Sequence, residues 1–266
     1  MAVTAEYVAS RTVGAAMVTA ISDGPGRSSI LGSLPVPREV WRREVDADAQ
    51  DEVVLSYNVA HVRLGAAAIL IDLGFDDSSL ASQWRAPRHQ RTRGVVAGLA
   101  ALGVRPEEVT HVLITHAHGD HVAGGAIERA GRWVPRHPTV TYFPGHADWE
   151  GNAERDRLGS LLARHLGPVA DAGRLALVDT ERAIVPSVTM LATPGESPGH
   201  CIVRVASEGA TFSFLSDLFH HPCDVHHRDW ASSGRAAAAL LMTTHMPFPA
   251  FERLRETPDG VAWGPA

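Results

Sequence analysis

The chain has 266 residues, 45% of them hydrophobic and 20% charged, enough apolar surface for one large globular domain. Its formal net charge is −6 with histidine neutral, and all 24 basic residues are arginine. The absence of lysine excludes Schiff-base and P-loop chemistry, the acidic balance gives no nucleic-acid footprint, and two cysteines, Cys201 and Cys223, exclude a disulfide framework or a four-thiolate metal site.

Residues 13–21 form a short apolar run, but Glu6 precedes it and only Arg11 supplies positive charge, a poor signal-peptide core. No stretch approaches the roughly 18 apolar residues of a membrane span, so the expected compartment is the cytoplasm. Strands are predicted at 53–57, 61–64 and 67–72, with Asn58 and Gly65 as turn positions. The apolar run 66–73 reads as a buried strand running into a loop at Asp72 and Gly74. A helix over 94–102 is closed by Gly103 and Pro106. Then follow a strand at 111–115, a helix at 119–129, a strand at 139–143 and an amphipathic helix at 152–165. Strands at 175–178, 188–192, 201–205, 211–215 and 240–244 complete the chain. Neither a repeat nor a long linker is visible. The expectation is one α/β or α+β domain over 1–266, with an N-terminal arm and strand to residue 50 and a core over 51–266.

The chemistry is concentrated in Thr115-His116-Ala117-His118-Gly119-Asp120-His121, at the end of a buried strand. Three imidazoles and a carboxylate so close together are costly to bury unless something binds them. They are also the nitrogen and oxygen donors that zinc and similar divalent ions accept. A spacing of two lets His116 and His118 point to one side of an extended segment, and Asp120 and His121, past Gly119, can face a second ion.

This segment resembles the HxHxDH signature of the metallo-β-lactamase superfamily, and later segments supply the family's other ligands in order. Gly195-Glu196-Ser197-Pro198-Gly199-His200 resembles the segment of the third histidine. Ser216-Asp217 resembles the bridging aspartate. Thr244-His245-Met246-Pro247-Phe248-Pro249 resembles the final histidine in the style of lactonase-like and organophosphate-hydrolase-like members. The resemblance implies a four-layer αββα sandwich binding two divalent metal ions, zinc first and iron or manganese next. It assigns His116, His118 and His200 to one ion, Asp120, His121 and His245 to the other, and Asp217 to both. It further implies a hydrolase using a dimetal-bound hydroxide on a small-molecule ester or lactone, with Asp120 moving protons. Two such cations lower the pKa of a shared water and polarise a carbonyl or phosphoryl oxygen.

Lactonases of the superfamily carry a tyrosine three residues after the bridging aspartate. Here that position is His220, whose imidazole can polarise the same oxygen or protonate a leaving group, making it the second catalytic candidate beside Asp120. His221, His226 and His227 follow closely without an assigned role. Gly195–Gly199 also satisfies the G-x-S-x-G serine elbow, but Pro198 lacks the N–H that such an elbow needs after its serine. Only 27 residues separate Asp217 from His245, a shortened C-terminal segment that predicts a weakly held His245. A degenerate, weakly active relative is therefore one alternative, and a thioesterase or phosphodiesterase using the same metals is another. Trp41, Phe219, Trp230, Met246 and Phe248 are candidate pocket walls.

Overall fold

Strands whose alternate residues are apolar bury one face each, and the chain stacks two such sheets face to face. In the computed structural model, which describes residues 4–29, 36–75, 94–226, 240–257 and 260–266, each of these sheets has seven strands. The first runs in the order β1 (Thr4–Ala5), β2 (Val8–Val13), β3 (Ala16–Ser28), β4 (Val53–Leu64), β5 (Ala67–Ile71), β6 (His111–Leu113) and β9 (Thr141–Phe143). The second runs β10 (Glu181–Val185), β11 (Val188–Ala192), β12 (Cys201–Ser207), β13 (Ala210–Ser216), β14 (Leu240–Thr243), β15 (Glu252–Thr257) and β16 (Gly260–Pro265). A small hairpin, β7 (Ala126–Arg129) with β8 (Arg132–Pro135), stands apart.

Val18, Val62, Ile69, Ile71 and Leu113 of the first sheet meet Met190, Val203, Val205, Phe212 and Phe214 of the second in one buried core. Truncating a buried phenylalanine such as Phe214 to alanine costs about 3–5 kcal/mol at a site of this kind. The other face of the first sheet packs Ile21, Val59, Leu70 and Tyr142 against helices. These are α2 (Gly94–Ala101), α3 (Gly119–Val122), α4 (His146–Glu150), α5 (Leu161–His165) and α6 (Gly167–Asp171). An earlier short helix, α1 (Arg38–Trp41), lies in the N-terminal arm. A further short helix, α7 (Pro222–His226), packs beside β16, and its Cys223 is buried against Trp41, Val45, Val53 and Leu55 of the arm and β4. The architecture is the expected αβ sandwich. No helix among the described residues is long and apolar enough to cross a membrane.

Several elements differ from their sequence reading. The N-terminal arm contains the hairpin β2–β3, whose second strand pairs along almost the whole of β4. Asn58 is not a turn but lies inside β4, fully buried. The helix expected over 119–129 stops at Val122, where the Gly124-Gly125 pair favours a break, and the chain re-enters as β7. The helix expected over 152–165 divides at Gly159, whose φ of +82° no helix permits. The part that remains helical begins at Ser160, whose side chain caps the N–H of Ala163. Strands β10, β15 and β16 were not predicted. With β15 and β16 present the C-terminal sheet is as wide as its partner, although the link from Asp217 to His245 stays short.

Candidate metal centre

Parallel pairing of β5, β6 and β9, and of β13 with β14, brings several carboxyl strand ends to one edge of the sandwich. Asp72 follows β5, the Thr115–His121 segment follows β6, Asp217 follows β13 and His245 follows β14. Asp72 and Ser216 both adopt positive φ, 62° and 52°, a left-handed turn rare outside glycine and asparagine or aspartate. These two turns face each other. The Thr115 hydroxyl lies 2.7 Å from Asp72 Oδ2 and 2.7 Å from the Ser216 hydroxyl, tying the sheets together beneath the site.

Four side chains of the kinds that bind metals, Asp120, His121, Asp217 and His245, lie buried with one donor atom each within 4.8 Å of one another. His245 Nε2 is 2.9 Å and His121 Nε2 3.4 Å from Asp217 Oδ2. The same two nitrogens are 3.5 Å and 3.3 Å from Asp120 Oδ2. Beside them His116 Nε2 faces His118 Nδ1 at 2.9 Å and stands 3.6 Å from Asp217 Oδ2. The His200 ring stacks at a tilt on His116, centroids 5.4 Å apart. Asp217 thus stands between the two groups.

The rings are oriented from behind. His121 Nδ1 is held by Asp72 Oδ2 at 2.8 Å, His245 Nδ1 by the Ser56 carbonyl at 2.9 Å, and His200 Nδ1 by the Thr193 carbonyl at 3.2 Å. Each ring therefore turns Nε2 inward, as a metal-ligating histidine with its other nitrogen engaged does. His245 is not weakly held. Strand β4 of the first sheet binds its loop through Ser56 N–H to the His245 carbonyl and Asn58 N–H to the Thr244 carbonyl. The Asn58 amide adds bonds to the Thr244 and Met246 carbonyls. A clamp from the opposite sheet replaces what a longer crossover would have supplied.

Charge in the site follows from this convergence. Burial opposes a charge on His121, yet the carboxylates of Asp120, Asp217 and Asp72 hold its pKa well above the usual histidine range. Burial would likewise raise Asp217, but His245, His121 and His116 keep it well below the usual carboxylate range. His116 is pushed well down by burial and by the His121 charge, and His200 is lowered by burial. Three carboxylates thus converge where positive charge is demanded. Buried His121 Nε2, His200 Nε2 and Asp217 Oδ1 make no hydrogen bond of their own. Nitrogen and oxygen donors left open around an electronegative point fit divalent cations.

The predicted residues come together, with two distinctions. His118 is half exposed and His220 sits at the rim, its Nε2 3.4 Å from Asp217 Oδ2 and its ring stacked on His245 at 5.2 Å. Burial lowers His220, but the hydrogen bond and charge of Asp217 outweigh it and bring its pKa up to about 9. Of the suggested pocket walls, Phe219 and Met246 are core residues between the sheets, and Phe248 packs on that core. Trp41 is buried with Val45, Val53, Leu55 and Cys223. Trp230, like His227, lies outside the described residues. Ser197 is no nucleophile in waiting: its hydroxyl donates to Asp148 Oδ2 at 2.7 Å.

Sequence reasoning missed Asp72, Asp148, Glu196 and Tyr57. Asp148 receives Ala117 N–H and Gly199 N–H, joining the first motif to the third-histidine loop. A side chain at Gly199 would collide with the Asp148 backbone nitrogen, so only glycine lets the loop come this close. Tyr57 lies edge-on to His245, and burial with the charges of Asp120 and Asp217 raises its phenol pKa. Only Asp72, at the end of an apolar strand run, gave a signal in the sequence.

The family model described as "Metallo-beta-lactamase superfamily" matches residues 53–245, well over half of the chain and every one of these site residues. The chain belongs to the metallo-beta-lactamase superfamily. Within the superfamily, a hydroxyacylglutathione hydrolase of Cereibacter sphaeroides is 33% identical over 122 residues, 43% of this chain and 36% of that protein. An N-acyl homoserine lactonase of Bacillus cereus is 24% identical over 160 residues, 56% of this chain and 57% of that protein. The chain therefore matches little more than a third and just over half of these curated relatives' lengths. Among solved structures, AidC, described as a dizinc quorum-quenching lactonase in complex with a product N-hexnoyl-L-homoserine, superposes with a TM-score of 0.75. It is 17% identical, over 98% of this chain and 97% of that one, a likeness of fold.

Proposed function

We propose that this member of the superfamily is a metal-dependent hydrolase of small esters or lactones, working with two divalent ions, zinc first among them. The observation that carries the reading is the buried group of Asp120, His121, Asp217 and His245 beside the facing His116 and His118. In this reading His116, His118 and His200 hold one ion, Asp120, His121 and His245 the other, and Asp217 both. Bound there, the ions lower the pKa of water and polarise a carbonyl or phosphoryl oxygen.

The chain's own residues supply orientation and proton transfer. Asp72, Ser56 and Thr193 keep three rings in one tautomer, with Nε2 inward. Asp120 takes the proton of the attacking water on its carboxylate and returns it to the leaving oxygen. His220, on the open side of Asp217, donates through Nε2 to the substrate's carbonyl or leaving oxygen. The lactonase and hydroxyacylglutathione hydrolase relatives support a small acyl substrate, and the second of these favours a thioester as the other candidate.

The test is one preparation. Elemental analysis should find two ions per chain, and a panel of lactones, aryl esters, aryl phosphotriesters and acylglutathione thioesters should include a substrate. Turnover should disappear on chelation, return with added metal and ignore serine-directed inhibitors. A chain loaded with both ions but inert across the panel would instead be a degenerate relative.

A further inference from the structure

We propose that Glu196 is an additional metal ligand of this chain, completing the set around the ion held by His116 and His118; this rests on the dimetal reading above. The carboxylate lies on the loop between β11 and β12, the loop that also carries His200. Its Oε1 stands 3.6 Å from His118 Nδ1 and 3.7 Å from His220 Nε2, and its side chain is 21% exposed. Glu196, His116 and His118 place one donor atom each within 4.8 Å of one another. The same carboxylate forms a second such set with Asp217 and His220. One oxygen thus belongs to two overlapping groups, which puts it over the metal centre on the side open to solvent.

The contrast with His200 sharpens the point. His200 Nε2 is buried without a hydrogen bond, yet His200 belongs to neither group containing Glu196, whereas Glu196 already converges on His116 and His118. No described arginine pairs with Glu196; its ionic neighbours are these two imidazoles. An anionic oxygen held between imidazole nitrogens gains a far stronger partner when a divalent ion arrives. It also changes the character of the site. Three imidazoles suit zinc, while an added carboxylate moves the set toward the oxygen-rich environments that manganese accepts.

The experiment compares Zn2+ and Mn2+ binding to metal-free wild type, Glu196→Gln and Glu196→Asp by competition with a chromophoric chelator. Thermal unfolding of the metal-free proteins serves as the control for folding. Glu196→Gln should weaken Mn2+ binding at one site by at least about tenfold, the lower range for residues supporting a metal, and weaken Zn2+ binding less. Glu196→Asp, which keeps the carboxylate on a shorter arm, should fall between. Unchanged affinities overturn the assignment, and so does an equal loss for both ions, the result of a carboxylate acting through charge alone. Either leaves the dimetal reading standing, whereas a wild type that binds neither ion overturns both.

Discussion

At the floor of the site, His121, His200 and His245 each commit one ring nitrogen to a carboxylate or carbonyl behind them, and all three are buried. At the rim, His118 and His220 face Glu196 and solvent, and His118 is half exposed. The floor is held by hydrogen bonds from the protein itself, one of which, Ser56 to His245, crosses from the first sheet to the second, so its geometry exists before anything binds. The rim is held by charge and by short loops, so it can adapt to a ligand. Binding strength should therefore follow the floor and selectivity the rim.

The comparison breaks most easily at Asp217, which touches both regions. Asp217→Ala should lower metal stoichiometry and hydrolysis together, with an affinity loss beyond the roughly 10–100-fold typical of supporting residues. Undiminished metal content by elemental analysis would remove Asp217 from the site. One step back, Asp72→Asn keeps the shape but weakens the grip on His121 and Thr115. It should lose about 10–100-fold in affinity for the ion at His121, read by chelator competition.

At the rim the signature reverses. His220→Phe should keep both ions and lose roughly 10²-fold in turnover, as expected when a group acting in the transition state is removed. Full turnover in that variant would falsify a catalytic His220.

A buried histidine outside the site supplies the control. Burial, with the Arg63 charge, depresses His61 to about 4. Below the ordinary histidine pKa the unfolded chain takes up a proton that the folded chain refuses. Stability at this residue is thus complete at neutral pH and lost as pH falls from about 6.5 toward 4. Between pH 7 and 5 this amounts to about 2 kcal/mol, and His61→Leu should remove that share of the acid sensitivity in denaturant melts. An identical pH dependence in the variant would show that His61 does not carry it. The smallest effect belongs to Ser197→Ala, which deletes one hydrogen bond to Asp148. It should cost about 1 kcal/mol and leave most turnover. Collapse of activity with metal content intact would revive the serine elbow.

The sequence by itself determined the family, the sandwich class and the cluster of candidate ligands, because donor chemistry and spacing are local and the ligands follow strands in a fixed order. His116, His118, Asp120 and His121 stand within six residues, and the downstream Asp217 and His245 each close an apolar strand run. Tertiary structure alone decided how those residues are held. Asn58 read as a turn because asparagine favours turns, yet it is buried in β4 and clamps the His245 loop from the other sheet. Asp148 and Glu196 carried no signal, since each acts through partners at least 24 residues away, on loops that meet only when the sheets stack. The short link to His245 looked like a defect because sequence shows the length of a connection but not the hydrogen bonds that another strand contributes to its end.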